Sequence, residues 1–461
     1  MRLKLLALVL FGFSAYGQSG DATILTYAEF IGYVKKFHPL VKSANLQVSA
    51  AQANLMMARG GFDPKIEVDF DKKQFKDKEY YSVLNSSFKI PTWYGIEVKA
   101  GFDNNEGVYL NPQNTVPNQG LTSLGIAVPV AQGLLINQRM ADLRKAKAQI
   151  RLSQSERDLE CIEVIYDASV AYFNWKKNFS EVQLYEKYLA NANLRYQGIS
   201  KLIEQGDKPA IDSTEAGIVV RNRALSLEDS RLKLAKAKLE LANFLWLDNN
   251  IPLELQDGII PQDNLATGLK ETLLLDQLIV EAVTVDSHPK ISALNSKIEM
   301  LDIDRKLKAN MLLPKIDLAY SYLSEPTYFD NYRFQDYKVG VNFYFPLFLR
   351  KERGSLRVTK YKLEQGKFDL DLARVQLKNK ISAQQTEIES LEKQLQLIGR
   401  LVKDSQTMLN SEDRLFSFGE SSMFLINSRE NNLVASQLSQ IAIENRYFES
   451  NVALFRAIGR L

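Results

Sequence analysis

Apolar residues along this chain follow two periods that take turns in blocks. From about Thr26 to Arg59, and again from Leu278 to Asn310, helix formers recur with a spacing near 3.6, which predicts helices with one buried face. A His-Pro step falls inside each block, at His38-Pro39 and His288-Pro289. Proline lacks an amide donor and disfavours the helical conformation in the residue before it, so each helix is expected to end or kink there. The period then drops to two. Ile66, Val68 and Phe70 alternate with Lys65, Glu67, Asp69 and Asp71, while Ile316, Leu318, Tyr320 and Tyr322 alternate with Asp317, Ala319 and Ser321. Returning runs from Ile96 to Phe102, Leu124 to Val128 and Val339 to Phe345 read the same way, as strands with one apolar face.

Four to six strands are expected in all. Through Tyr80 to Ile90 the alternation slips near Asn85, as at a bulge. The stretch Asp103 to Gly120, rich in Asn, Pro and Gly, reads as an exposed loop. Between Pro129 and Gly206 about 75 residues pass without proline, a rod of roughly 110 Å if helical throughout, and Leu347 to Gly419 reads likewise. In the second rod Ile381, Ile388, Leu391, Leu395, Ile398 and Val402 follow a coiled-coil seam. Such a narrow stripe on a rod so long calls for other rods packed alongside it.

The blocks repeat. His38-Pro39 returns as His288-Pro289, and the Pro64-Lys65-Ile66 strand start returns as Pro314-Lys315-Ile316, both at an offset of 250 with no gap. Val128-Pro129-Val130 and Phe345-Pro346-Leu347 each close an alternating run and open a long helix, and Gly206 and Gly419 each interrupt a helical pattern. The expected organisation is a first repeat over 18–260, with strands about 64–130 and a helix reversal near 206. A second repeat follows over 261–461, with strands about 314–347 and a reversal near 419. Residues 1–17 read as an export signal: Arg2 and Lys4 precede the apolar run Leu5 to Phe13, and Ala15-Tyr16-Gly17 offers a cleavage site.

Composition narrows the function. Lys and Arg number 58 against 55 Asp and Glu, so the chain carries +3, or +1 once Arg2 and Lys4 leave with the signal. That is no basic footprint for nucleic acid. A single cysteine, Cys161, and two histidines leave no intramolecular disulfide and no Cys- or His-rich metal site. No phosphate loop, metal-protease motif or nucleophile elbow occurs, so neither catalytic residues nor a bound cofactor or metal is expected. No uninterrupted apolar run reaches the length of a membrane-spanning helix, so any membrane crossing falls to the strands. The 35 residues Pro314 to Phe348 hold eleven aromatics, as the interfacial girdles of an outer-membrane barrel require. One chain has too few strands to close a barrel, and open edges cannot face lipid, so several chains must close it jointly.

At this point the sequence resembles the TolC family of outer-membrane efflux proteins, over essentially the whole mature chain. The likeness rests on Leu25-Thr26-Tyr27-Ala28-Glu29, with Phe30 where the family usually has a small residue. It rests also on the His-Pro and Pro-Lys steps, on Phe345-Pro346-Leu347-Phe348, and on Gly206 with Asp212. Gly419 before Phe424-Leu425-Ile426-Asn427, and the Leu454-Phe455-Arg456-Ala457-Ile458-Gly459 ending, complete it. The resemblance implies a mainly α fold: long coiled-coil helices forming an α-barrel tunnel, with strands contributing to a twelve-stranded barrel, four per chain, in a homotrimer. It implies a periplasmic tunnel below the outer membrane of a Gram-negative cell, a periplasmic adaptor, and an inner-membrane RND or ABC pump that supplies the energy.

The resemblance further implies that the turns at Gly206 and Gly419 dock the adaptor and that Asp212 lines the periplasmic constriction. Glu215, three residues on, shares the helical face of Asp212. Leu425 and Ser428 depart from the acidic pattern in the second repeat. Arg414 and Arg429 flank that second turn, either linking helices in a closed state or, the preferred reading, as surface charges. His38 and His288 are expected to be structural residues at helix bends, Cys161 a packed thiol, and Tyr166, Tyr172, Phe173 and Trp175 core between rods. The competing reading is a secreted coiled-coil scaffold or adhesin with small soluble sheets and no channel.

Overall fold

The computed structural model describes residues 23–207, 209–256, 258–273, 285–328 and 333–460. The export signal at 1–17, the start of the second helical block at 278–284, and Phe329 and Tyr332 lie outside the described residues. The chain is mostly helical. In order it runs β1 (Thr23–Leu25), α1 (Tyr27–Phe37), α2 (Pro39–Gly60), β2 (Lys65–Phe75), β3 (Lys78–Pro91), β4 (Glu97–Glu106), β5 (Leu121–Pro129) and α3 (Gln138–Glu204). There follow α4 (Ala210–Ala242), β6 (Trp246–Leu247), β7 (Ile251–Pro252), β8 (Ile259–Pro261) and α5 (Leu265–Thr272). The second half gives α6 (Pro289–Asn310), β9 (Lys315–Ser324), β10 (Tyr337–Tyr344), α7 (Arg350–Ser417) and α8 (Met423–Ile458). No described helix is long and apolar enough to cross a membrane.

The chain divides into two compact units, each assembled from both halves of the sequence. The first comprises the residues up to Pro39, Ile165–Gln277 and Thr386–Ala453. Its core is aromatic: Tyr27 and Phe30 of α1 pack on Tyr172 and Phe173 of α3, with ring centroids 5.4 to 5.5 Å apart, and Trp175 is fully buried. Tyr27 and Ser169 share a hydrogen bond of 2.7 Å, and the Tyr172 hydroxyl donates to the Leu25 carbonyl. Thr26 and Glu29 form a reciprocal capping box at the start of α1, so the motif Leu25 to Glu29 builds a helix start over a core residue. Phe30, the departure from the family pattern, fills space against Tyr172. His38 ends α1 in an extended conformation, buried and stacked on Phe244. Along α7, Leu391 and Ile398 of the expected seam are buried, and Val402 packs on the cluster around Leu409, Leu433 and Val434.

The second unit comprises Leu40–Val164, Leu278–Gln385 and the residues from Leu454. It holds one antiparallel sheet of six strands in the order β10-β9-β5-β4-β3-β2. The resemblance implied four strands per chain; the described residues supply six to this sheet. The difference is the segment 80–102, which builds the β3–β4 hairpin into the middle of the sheet. Residues 103–106, expected in a loop, continue β4, and the loop begins at Gly107.

The register is continuous through Asn85, which sits opposite Asp69 and Asp103. Alternation only seemed to slip there because Val83 faces the polar side next to the apolar-side Leu84. The irregularity falls instead between Lys73 and Gln74, where Tyr80 of β3 is the unpaired extra residue. Below the sheet, Ile136 just before α3 and Ala141 in its first turn pack on Ile303 and Leu307 of α6, and Ile291 of α6 packs on Leu370, Ala373 and Leu377 of α7.

Candidate functional site

Two places carry the chemistry: the sheet of the second unit and the helix breaks of the first. In the sheet, register joins the period-two patterns of all six strands into two continuous faces. One row across it reads Ile66, Phe88, Ala100, Leu124, Tyr322 and Tyr337. Others of this face, Phe70, Val68, Ile126, Val341 and Phe343, are exposed, with Ile66 at 76% and Phe343 at 67%. An apolar surface of this extent is untenable in water and is what a bilayer covers.

The other face alternates charged and small residues: Glu67, Asp69 and Lys89 toward one edge, Gly101, Ser123 and Gly125 through the middle, and Gly340 on the opposite edge strand. A groove of about 520 Å³ lies on that side, lined among others by Glu97, Lys99, Asp317 and Asn342. Most strands are eight to eleven residues long, the span of a bilayer for tilted strands. Aromatics gather at both ends. Tyr80 stacks on Tyr109 at 4.7 Å beside Phe75 on the loop side; Trp93 stacks on Phe62 at 5.7 Å on the helix side, where Tyr94 and Phe348 are exposed.

In the first unit both long helices end in one motif. Gly206 has φ of 84° and Gly419 of 77°. The amides of Gly206 and Asp207 donate to the Ile203 and Leu202 carbonyls, and those of Gly419 and Glu420 to the Phe416 and Leu415 carbonyls. Each is a Schellman closure, which needs a left-handed residue at the glycine. A Cβ at either glycine meets open space. Phe418, Phe424 and Ile211 are exposed nearby in the chain.

Asp212 lies half-exposed in the first turn of α4. Glu215, one turn on, accepts from Asn427 Nδ2 of α8 at 3.3 Å, so these two carboxylates share a helical face while only Glu215 is tied to another helix. Arg414 is exposed; Arg429 reaches Glu412 of α7 at 3.5 Å and so joins the two helices of the second turn, a link rather than a plain surface charge.

Sequence reading missed the strongest polar feature of this region. Glu430, 1% exposed, receives both guanidinium nitrogens of Arg195 at 3.1 and 3.2 Å, and Arg223 stands 3.9 Å away while donating to Asn431 at 2.6 Å. Arg223 also lies over the Tyr188 ring, whose hydroxyl donates to Gln437. Burial, with the nearby Glu430 charge, pushes the Tyr188 hydroxyl up to about 12. The signal was present: Glu430 lies on the helical stripe of Ile426, Leu433 and Val434, where a carboxylate requires a buried cation. The arrangement links α3, α4 and α8, and presents no nucleophile, base or open ligand set. Among the described residues no group of His, Cys, Asp and Glu is placed to hold a metal.

Residues 284–460 match the outer membrane efflux protein family. No curated protein matches the chain in sequence. Among solved structures, the CmeC outer membrane channel of Campylobacter jejuni superposes with a TM-score of 0.65 at 13% identity, covering 100% of this chain and 94% of that one. VceC of Vibrio cholerae gives 0.64 at 14% identity, covering 93% and 95%; the open state of the MtrE channel of Neisseria gonorrhoeae gives 0.65 at 13%, covering 94% and 88%. The chain therefore carries an outer membrane efflux protein domain in its second half and the TolC-like channel fold along its whole length.

Proposed function

We propose that three copies of this chain form an outer-membrane channel-tunnel. It passes small molecules or proteins to the cell exterior from a periplasmic adaptor and an inner-membrane RND or ABC pump. The observation that carries this reading is the apolar face running unbroken across six strands, opposite a polar face of small and charged residues. A secreted scaffold with soluble sheets has no use for such a face, because in water it drives aggregation. The long helices form the periplasmic tunnel, the turns at Gly206 and Gly419 receive the adaptor, and Asp212 and Glu215 line the constriction.

The first test is extraction of the mature protein from outer membranes, with its mass measured in detergent and its conductance in planar bilayers. A detergent-dependent trimer that conducts is expected; a monomer soluble without detergent overturns the reading. The docking assignment is tested by Gly206→Tyr and Gly419→Tyr, with Gly→Asn at each site as the control for backbone strain, since Asn tolerates the left-handed conformation. A Cβ added at either glycine meets no described atom within 4 Å. Loss of export in the Tyr variants alone, with trimers intact, is the expected result; equal loss in both pairs reduces the glycines to structural turns.

A further inference from the structure

We infer that the barrel closed by three copies of this chain has eighteen strands, six from each, with β2 of one copy pairing antiparallel with β10 of the next. This rests on the trimeric reading above and goes beyond it in strand number, in the edges that meet and in the width of the lumen. β3 and β4 are hydrogen-bonded on both sides, β3 to β2 and β4, and β4 to β3 and β5. Their apolar residues, Leu84 and Phe88, then Val98, Ala100 and Phe102, continue the outward face of the strands on either side. Their polar-side residues, Asn85, Ser87, Gly101 and Asp103, continue the inward face. A hairpin hanging off a twelve-stranded wall would have no reason to keep that alternation.

The hairpin's turn is also anchored. Asn137 donates to the Trp93 carbonyl at 2.9 Å, Arg139 to Glu97 at 2.6 Å, and Trp93 stacks on Phe62, so the turn between β3 and β4 is tied to the helices that begin and end beside it. β2 and β10 are the two free edges of the sheet. Unpaired backbone groups at lipid depth cost several kcal/mol each, so both edges need partners. The occupant that fits is a second copy: the two edges run in opposite directions, and a head-to-tail interface repeated about an axis closes a ring. On the inward face of β2 the acids Glu67, Asp69 and Asp71 stand between Lys65 and Lys73, and the inward face of β10 offers Lys338.

Strands ~4.8 Å apart and tilted by about 40° give a backbone diameter of roughly 24 Å for twelve strands and roughly 36 Å for eighteen. Cross-section thus grows about twofold, and the small inward residues Gly101, Ser123, Gly125 and Gly340 add little to fill it. The wider lumen suits bulkier cargo, folded or partly folded polypeptide included.

The test is imaging of the protein in lipid nanodiscs at a resolution that counts strands. It is paired with a fluorophore at Val98→Cys, Ala100→Cys or Phe102→Cys in a Cys161→Ser background. Expected are a threefold wall of eighteen strands and quenching by a lipid-phase quencher equal to that of a Val341→Cys control in β10. A threefold wall of twelve strands, with the β4 labels quenched from water, overturns the inference and leaves the channel reading standing. A twelve-stranded wall made by two copies overturns the trimer itself. The small Ala100→Cys change keeps the labelling arm informative if a larger replacement prevents folding.

Discussion

His288 shows how one side chain can fix a helix boundary and make it sensitive to pH. Its Nδ1 accepts from the Lys290 amide at the start of α6, and its ring lies against Gly459, whose φ is 72°. Burial, then the charges of Lys290 and Lys380, push its pKa down to about 4 from 6.5. The folded state therefore favours neutral imidazole. Between pH 6.5 and 4 the unfolded chain binds the proton that the folded chain refuses, so stability is full above 6.5 and falls as pH drops through this window. The contribution reaches up to about 3 kcal/mol. Thermal unfolding of the detergent-solubilised protein from pH 8 to pH 4 should show this decline, and His288→Gln should flatten it; an unchanged slope removes the assignment. Gly459→Ala should cost about 2–3 kcal/mol, since the new methyl runs into the His288 ring and the backbone is left-handed. Because His288→Ala clears that ring, the double variant should recover part of the loss in the same measurement. The buried Cys161 has its thiol pushed up by burial and reads as packing.

At the scale of elements, the strands test their own faces. Leu124 and Ser123 are neighbours in β5 on opposite sides of the sheet. Leu124→Lys should destabilise the membrane-inserted form by about 2–4 kcal/mol, whereas Ser123→Lys, facing the lumen, should cost little. Urea unfolding in lipid vesicles measures both, and equal losses would mean that the two faces see the same solvent. The buried triad gives a second contrast. Glu430→Ala removes the buried carboxylate between Arg223, which keeps Asn431, and the half-buried Arg195, which keeps Asp413 at 4.0 Å, and should cost about 2–3 kcal/mol locally, read as lost hydrogen-exchange protection in the facing stretches of α3, α4 and α8.

These elements were legible in the sequence to different depths. The strand faces follow from period two alone, and both His-Pro boundaries and both glycine reversals stand where proline and positive φ require them. Two features did not show. The role of 80–102 was hidden because Val83 and Leu84 are adjacent apolar residues on opposite faces, and only pairing with β2 and β4 resolves which is which. The partners of Glu430 were hidden: its place on the stripe of Ile426, Leu433 and Val434 calls for a buried cation, but Arg195 and Arg223 are more than 200 residues away in sequence and no local pattern links them.

At the scale of the whole molecule, the proposed threefold repetition would convert single charges into rings, and this is where Asp212 and Glu215 would matter. In one chain Asp212 is an ordinary half-exposed carboxylate, and Glu215 is held by Asn427 at 3.3 Å. In the proposed trimer each becomes three carboxylates around a water-filled axis, which attracts cations and repels anions. Leu425 and Ser428 bring no further charge at the corresponding offsets of the second repeat, so in the proposed trimer the charge of the constriction is assigned to these two rings. Screening sets the conditions under which the effect is read. The Debye length is about 30 Å at 0.01 M salt and about 10 Å at 0.1 M, so rings around a wide opening act across the lumen only in dilute salt. Planar-bilayer reversal potentials should therefore show cation preference that weakens as salt rises, and Asp212→Ala with Glu215→Ala should abolish most of it at low salt while leaving the trimer intact. Should the double variant keep the parent's reversal potential at 0.01 M, the selectivity would belong to other charges, and Glu215 would remain a tie between α4 and α8.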